Sequence, residues 1–334
     1  MNISVVIPTC NRRERLLSLL QNLDKSSYPL LEVIIVDSGE SRLVPADYEA
    51  FSNLDILYLV SEKSVCIQRN IGIHKSKGQW IFLCDDDIEI PVDYVQKIAD
   101  HIGIYNEAGA VSGLVLQKEK NEWRSNYPVT SALQLFWKFS FQLSMWGEIK
   151  CKRKNAIVKR IQRFYQGKGN HISKAGWPVI TDFSGDYFVT PIYGLGASLV
   201  KKEWLMQSLY DEVLDRHGIG DNYGVAINFP GNIHILTGAY VYHHQEPINR
   251  LQRPLQYFRR ALALDYFIRT NRKIRYVKKG WLLWSLTGNL LEFIFVRDGV
   301  MIMPAVKTIW RIALGNNPYY KAAKQNTQVT EPVP

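Results

Sequence analysis

The sequence predicts an α/β protein built on a mostly parallel sheet. In residues 1–117, short runs rich in β-branched residues alternate with segments of helical periodicity, a pattern typical of parallel sheets with helices on both faces. Hydrophobic residues make up 46% of the 334 and charged residues 22%, a globular composition with enough apolar material for a large core. Low-complexity, fibrous and repeat architectures are therefore excluded.

Each predicted element follows from a local pattern. The helix at Arg13–Leu23 places leucines on one face, and Pro91 precedes the helix at Val92–Ile102. The remaining elements are a helix at Ser64–Ser76 and strands at Ile3–Ile7, Leu31–Val36, Ile56–Val60, Trp80–Cys84 and Ala110–Leu116.

Polar residues follow three of these strands, at Thr9 and Asn11, at Asp37, and at 85–87 (Asp-Asp-Asp). Ligands of parallel sheets bind at the carboxyl ends of strands, so these side chains are expected at one rim. Taken singly, each cluster could be an ordinary turn. Three adjacent carboxylates repel one another unless a cation neutralises them, and such oxygens together with substrate phosphates suit Mg²⁺ or Mn²⁺. The absence of a P-loop and of GxGxxG argues against P-loop NTPases and classical dinucleotide folds.

The net charge of +10 is concentrated in two segments. Residues 118–170 hold 12 Lys and Arg against 3 Asp and Glu, and residues 250–334 hold 15 against 4. Both segments also carry Trp, Phe and Leu, which favours contact with an anionic membrane surface over nucleic acid. The stretch Leu133–Trp146 is either a helix at such a surface or an amphipathic helix packed on the core.

The location predicted from sequence is cytoplasmic, on the inner face of the membrane. No apolar run is long enough to span a bilayer, and the amino terminus leads directly into a strand, without the pattern of a signal peptide. The four cysteines form no CxxC pair, as expected in a reducing compartment.

Four segments in register resemble glycosyltransferase family 2. They are Ser4–Arg12, Val33–Gly39, Gln68–Ile73 and Lys77–Asp87. The resemblance implies a Rossmann-like sheet of the GT-A type, here with an inserted basic helical segment and a C-terminal helical tail. It also implies an inverting transfer of a sugar from a nucleotide diphosphate to a hydroxyl, assisted by Mn²⁺ or Mg²⁺.

The same resemblance implies roles for the rim residues. Arg69 is expected near the base or the diphosphate, and Asp37 at the base or ribose. Asp87 is expected to ligate the metal, with Asp85 facing the ribose or a metal-bound water as a further candidate ligand. The other expected donor-binding residues are Pro8, Thr9, Asn11 and Asp86.

The second half resembles the family at Tyr193–Glu203 and Tyr210–Glu212. It departs from the family where a Glu-Asp pair is usual, because Asp221 and Asn222 occupy those positions. Asn222 cannot accept a proton as a general base, so Asp221 is the expected base, although it could also cap a helix. His243, in preference to His244, is expected near the metal or diphosphate.

Five regions are predicted: a donor-binding half (1–117), a basic aromatic insertion (118–180), an acceptor half with the base (181–249), a basic helical tail (250–315) and a flexible tail (316–334). The expected acceptor is a glycan or lipid-linked saccharide. A nucleotidyltransferase acting on a sugar phosphate is the first alternative, and a nucleic-acid-binding protein the second.

Overall fold

The computed structural model describes residues 1–152, 155–245 and 251–329. Within these residues the chain forms one large sheet and one small sheet. The strands are β1 (Ile3–Thr9), β2 (Glu32–Asp37), β3 (Ile56–Val60), β4 (Trp80–Cys84), β5 (Ile88–Glu89), β6 (Ala110–Glu119), β7 (Glu122–Arg124), β8 (Met145–Trp146), β9 (His171–Ile172), β10 (Pro178–Ile180), β11 (Tyr187–Thr190), β12 (Ala197–Lys201) and β13 (Ile233–His243).

The large sheet has the order β11-β13-β6-β12-β4-β1-β2-β3. The block β4-β1-β2-β3 is parallel, and β6 also runs parallel to β13. Strand β12 lies antiparallel between β4 and β6, so strands from both halves of the chain share one sheet. The predicted α/β class with a mostly parallel sheet is confirmed.

Helices cover both faces of this sheet. In chain order the helices of the described residues are α1 (Arg13–Asp24), α2 (Pro45–Tyr48), α3 (Val65–Lys75), α4 (Tyr94–Ile104), α5 (Ala132–Ser140), α6 (Ala156–Lys168), α7 (Lys202–Gln207), α8 (Asp221–Ala226), α9 (Arg253–Thr270), α10 (Lys279–Phe295), α11 (Gly299–Ala313) and α12 (Pro318–Gln325), with a short 3₁₀ turn at Arg272–Ile274. The leucines of α1 pack against one face of the sheet, and α3 and α8 pack against the other. The strands between them are fully buried, which explains their continuous apolar runs.

The insertion at 118–180 has a small core of its own. Helices α5 and α6 pack together there, and the small sheet has the order β8-β10-β9. Leu135 of α5 is fully buried, whereas Leu133 and Phe136 on the same helix are exposed. The helix expected over Leu133–Trp146 is therefore amphipathic and shorter than expected, because it ends at Ser140 and Trp146 lies in a strand. Within the basic run that follows it, residues 153 and 154 lie outside the described residues.

The C-terminal helices pack onto the domain that carries the sheet. Helix α9 contacts α11, α12 and α10. Residues 316–334 were expected to form a flexible tail, but Pro318–Gln325 is helical and Tyr319 is fully buried, with its hydroxyl 3.1 Å from Asp215 Oδ2. The last five residues of that segment lie outside the described part of the chain.

Candidate active site

A cleft of about 320 Å³ opens at the carboxyl ends of β1 and β4, the rim that the strand order predicts. We call it the first cleft. Its walls come from the loops after β1 and β4, from α3, and from the segments that precede α8 and begin α9. Among its lining residues are Pro8, Thr9, Arg12, Ser38, Lys63, Gln68, Arg69, Asp85, Asp86, Asp87, Arg216, His217 and His243.

The three aspartates after β4 each have a cationic partner within the protein. Arg12 Nη1 lies 2.7 Å from Asp86 Oδ1 and 3.3 Å from Asp87 Oδ2, and Thr9 Oγ1 donates to Asp86 Oδ2 at 2.7 Å. Burial raises the pKa of Asp86 to about 6, although Arg12 opposes this rise. The adjacent carboxylates of Asp86 and Asp87 were expected to need a cation between them. In the structure the Arg12 guanidinium supplies that positive charge.

Arg69 on α3 connects the aspartates of β4 to the second half of the chain. One guanidinium nitrogen donates to Asp85 Oδ1 at 2.6 Å, and the other donates to Asp221 Oδ2. The guanidinium also lies over the Tyr210 ring, 4.9 Å from its centroid. Arg69 is 5% exposed, so this is a buried bridge and not the surface ion pair that an isolated arginine often makes.

Asp221 is the first residue of α8 and follows a glycine in the left-handed conformation. Gly220 before it has a φ of 99°, a conformation that residues with a side chain rarely adopt. Asp221 Oδ1 accepts a hydrogen bond from the Asn222 backbone N–H at 2.6 Å, and its other oxygen faces Arg69. Burial raises the pKa of Asp221 to about 6 against the opposing attraction of Arg69. Since Gly220 is the residue before the helix, Asp221 is not its N-cap.

His243 is the last residue of β13 and His244 follows it, and the two side chains have different partners. His243 Nε2 lies 3.2 Å from Asp87 Oδ1, and His244 Nε2 lies 3.0 Å from Glu89 Oε2. The pairing of β5 with β13 brings these residues together, because β5 begins directly after Asp87 and pairs Ile88 with His243. His243, not His244, lines the first cleft.

The donor set at Asp87 fits a divalent ion that shares its coordination with a phosphate. Within the part of the chain that the structure describes, no group of three or more His, Cys, Asp and Glu side chains is arranged to hold a metal alone. Mg²⁺ and similar ions commonly take one or two carboxylates and complete their shell with waters and substrate phosphates. Asp87, with His243 beside it, supplies such a partial set.

Two of the predicted donor-binding side chains are engaged elsewhere. Asn11 has a φ of 55°, and its Oδ1 accepts from the backbone N–H of Glu40 at 2.7 Å. Both oxygens of Asp37 accept hydrogen bonds, from the Gly39 backbone N–H at 2.7 Å and the Tyr58 hydroxyl at 2.5 Å. These two residues shape the loops behind the first cleft and do not line it.

A second cleft, of about 550 Å³, adjoins the first. Asp85 and His243 line both clefts, while Gly220 and Asn222 bring the start of α8 to the wall of the second. Six of the described residues that line it are aromatic, and among these the Trp146 and Tyr193 rings stack 5.3 Å apart. The other aromatic lining residues are Tyr127, Trp177, Tyr223 and Phe267. The two clefts therefore meet at Asp85 and His243, close to the Arg69–Asp221 pair.

Sequence reasoning missed Arg12 as a site residue. It lies next to the rim residue Asn11. Because three carboxylates were expected at the same rim, a neighbouring arginine could have been recognised as their partner. The second cleft had no comparable signal, because its walls come from the insertion, the glycine loop before β12 and helix α9, which are far apart in sequence.

Comparison with known families agrees with this architecture. Residues 4–169 match the family model described as Glycosyl transferase family 2. Residues 4–169 belong to glycosyltransferase family 2. The chain is 35% identical over 135 residues to the uncharacterized glycosyltransferase YwdF of Bacillus subtilis. The aligned region covers 40% of this chain and 49% of that protein. The chain thus spans about half the length of this curated relative.

Two solved structures share the fold over almost the whole chain. The S. aureus TarS fragment 1–349 superposes with a TM-score of 0.52 and 14% identity, covering 98% of this chain and 92% of the fragment. The same fragment in complex with UDP-GlcNAc gives a TM-score of 0.53 and 12% identity, covering 98% and 93%. At these identities the likeness shows the fold, which is of the GT-A type.

Proposed function

We propose that this protein is an inverting glycosyltransferase that moves a sugar from a nucleotide diphosphate to a hydroxyl of a glycan or lipid-linked saccharide. The observation that carries the proposal is the Arg69 bridge between Asp85 and Asp221, at the junction of two clefts. One cleft is polar and rich in cations, as a nucleotide diphosphate requires. The other is lined, within the described part of the chain, by six aromatic side chains, which suit an acceptor saccharide with apolar ring faces.

The cations of the first cleft suit the charge of the donor. Arg12, Arg69, Lys63 and Arg216 all line it. A diphosphate gains negative charge as it leaves the sugar, and cations that face it stabilise that charge as it develops. Pro8 and Thr9 border the nucleoside in this proposal, and Asn11 and Asp37 hold the loops that adjoin it.

Asp221 is the proposed general base. Its neighbours Gly220 and Asn222 line the aromatic cleft, where an acceptor hydroxyl would approach, and Arg69 fixes one of its oxygens. A pKa of about 6 leaves the carboxylate ionised at neutral pH and still basic enough to accept the hydroxyl proton. With one base and no covalent nucleophile, the attack inverts the configuration at the anomeric carbon.

Asp87, with His243 and Asp85 as further candidate ligands, would hold Mn²⁺ or Mg²⁺ against the diphosphate. When bound, such an ion supplies positive charge for the departing phosphate. Arg12 contacts Asp87 in the structure, so donor binding would require the guanidinium to turn from Asp87 toward the phosphates. Asp86, held by Thr9 and Arg12, keeps this loop in place.

A donor panel tests the proposal. Uridine, guanosine, thymidine and cytidine diphosphate sugars, each with Mn²⁺, are scored by thermal shift, because a ligand that binds the folded state raises the melting midpoint. The expected result is stabilisation by at least one sugar nucleotide and release of the nucleoside diphosphate on incubation with acceptors. Release of inorganic diphosphate from a nucleoside triphosphate and a sugar phosphate would instead identify the nucleotidyltransferase alternative.

The proposal includes peripheral contact with an anionic membrane surface on the cytoplasmic side. No helix among the described residues is both long and apolar enough to cross a bilayer. However, α11 and the residue that follows it expose a stripe with helical spacing, which we call the apolar stripe: Val300, Met303, Trp310 and Leu314. Lys307 falls at the same spacing, and an exposed apolar and basic helix face is typical of interfacial binding.

Co-sedimentation with vesicles of phosphatidylglycerol and phosphatidylcholine at low salt tests this contact. The double variant Met303→Ser/Trp310→Ser is expected to lower the bound fraction several-fold. Ile104→Ser, at an equally exposed position on the end of α4, serves as the matched control and should not change it. Absence of wild-type binding would remove the membrane contact and leave the proposed enzyme activity intact.

A further inference from the structure

Helix α9 presents an unpaired arginine to the second cleft. Three of its four arginines have acidic partners: Arg253 pairs with Asp298, Arg259 with Asp215 and Arg269 with Asp265. Within residues 1–152, 155–245 and 251–329, the fourth, Arg260, has no carboxylate within ion-pair distance and no hydrogen bond.

The Arg260 side chain belongs to a helix face that lines the cleft. Arg260, Leu264 and Phe267 recur at the spacing of one face of α9, and all three line the second cleft. The cleft walls surround the guanidinium and this desolvation lowers its pKa, yet the side chain stays exposed enough to meet a ligand. A solvent-exposed guanidinium inside a cleft, with no carboxylate beside it, can pair with an anionic group of a ligand.

The donor does not account for this cation. Its diphosphate is already served by the cations of the first cleft, and Arg260 does not line that cleft. The second cleft supplies an aromatic wall, including the stacked rings of Trp146 and Tyr193, and Arg260 is the arginine that lines it. Aromatic rings accept the apolar faces of a saccharide, and a guanidinium binds phosphate or carboxylate oxygens through two parallel hydrogen bonds.

We infer that the second cleft selects an acceptor saccharide that carries an anionic group, phosphate or carboxylate, and that Arg260 binds this group. The inference rests on the proposed function, because it treats the second cleft as the acceptor site. It narrows the acceptor class from any glycan or lipid-linked saccharide to an anionic one.

Binding, measured without turnover, tests this inference. The protein is first titrated with UDP and Mg²⁺ to fill the first cleft, so that added anions do not bind to its cations. Glucose 6-phosphate, glucuronic acid and glucose are then titrated separately by calorimetry. Comparing the affinities of glucose 6-phosphate and glucuronic acid shows whether the cleft prefers phosphate or carboxylate. The affinity of glucose gives the binding of a neutral saccharide.

The expected result is that at least one anionic sugar binds more tightly than glucose. Arg260→Gln should weaken that binding by about 10- to 100-fold, the loss typical of a hydrogen bond to a charged group, and should leave glucose unchanged. Arg260→Lys keeps the charge but loses the planar fork, so it should retain part of the affinity. Arg253→Gln on the same helix, outside both clefts, is the matched control and should bind all three sugars as wild type does.

Two results would overturn the inference: equal binding of glucose and both anionic sugars, or unchanged anion binding in Arg260→Gln. The thermal midpoint of Arg260→Gln should not fall, because the variant removes an unpaired charge, and a retained midpoint shows that any lost binding is not a loss of folding. Failure of every nucleoside diphosphate and sugar nucleotide to bind the first cleft would count against the proposed function itself. That result is recorded separately from the sugar titrations.

Discussion

Asp221→Asn is the substitution that separates catalysis from binding most cleanly. The amide keeps the shape of the side chain and one oxygen, so it can still accept the hydrogen bond from the Asn222 backbone N–H. Arg69 keeps its other partner, Asp85, at 2.6 Å. The amide cannot take a proton from the acceptor hydroxyl. We therefore expect kcat to fall by about 10²–10⁴-fold, equivalent to about 3–5 kcal/mol of transition-state stabilisation.

The effect of the same substitution on stability has the opposite sign. Burial raises the pKa of Asp221 from 3.8 to about 6, so at neutral pH the folded protein bears a free-energy cost for keeping this carboxylate ionised. A neutral amide removes that cost, so the thermal midpoint of Asp221→Asn should equal or exceed that of wild type.

Steady-state kinetics with a competent donor and acceptor, together with a melting curve, check both parts of this prediction. Asp186→Asn, an exposed acid-to-amide change directly before β11, is the matched control and should leave kcat and the midpoint unchanged. Donor affinity should also stay close to wild type in Asp221→Asn. Wild-type kcat in the folded Asp221→Asn protein would refute the base assignment.

Three further predictions follow from the site. In wild type, kcat/KM should rise about tenfold per pH unit below pH 6 and level off above it, because Asp221 acts as a base only when it is deprotonated. A pH profile that is flat through pH 6 would contradict the assignment of Asp221 as the base. Asp87→Ala should abolish the part of the donor affinity that depends on Mn²⁺, which is measured by titrating the donor with and without the ion. If the donor affinity of the variant depends on Mn²⁺ as much as that of wild type does, the assignment of Asp87 as a metal ligand is wrong. Gly196→Ala should lower activity by about 100-fold, since the new Cβ would lie 2.0 Å from Asp85 Oδ2 and displace that carboxylate; unchanged activity would show that the Asp85 position is not needed.

The sequence predicted best those parts of the fold that depend on residues close together in the chain. The buried parallel strands are continuous apolar runs, and β1, β2, β3 and β4 lie within two residues of their expected bounds at each end. The rim positions of Thr9 and Asp85 then follow, because parallel strands end at the same edge of a sheet.

The features that were missed depend on contacts between distant segments. Arg12 reaches Asp86 across 74 positions in sequence, and Arg69 reaches Asp221 across 152, so no local pattern reports either pair. The helix α12 was missed because its polar, proline-bounded sequence resembles a loose terminus. Its order depends on burial of Tyr319 against Asp215, which lies 104 positions away.

The configuration of the first product tests the central claim most directly. Proton NMR of the anomeric signal is recorded during the first turnovers with a bound sugar nucleotide, Mg²⁺ and an acceptor, while release of the nucleoside diphosphate is followed in parallel. The account predicts a product of inverted anomeric configuration, formed one for one with the nucleoside diphosphate. A product that retains the donor configuration, or release of inorganic diphosphate in its place, would contradict it.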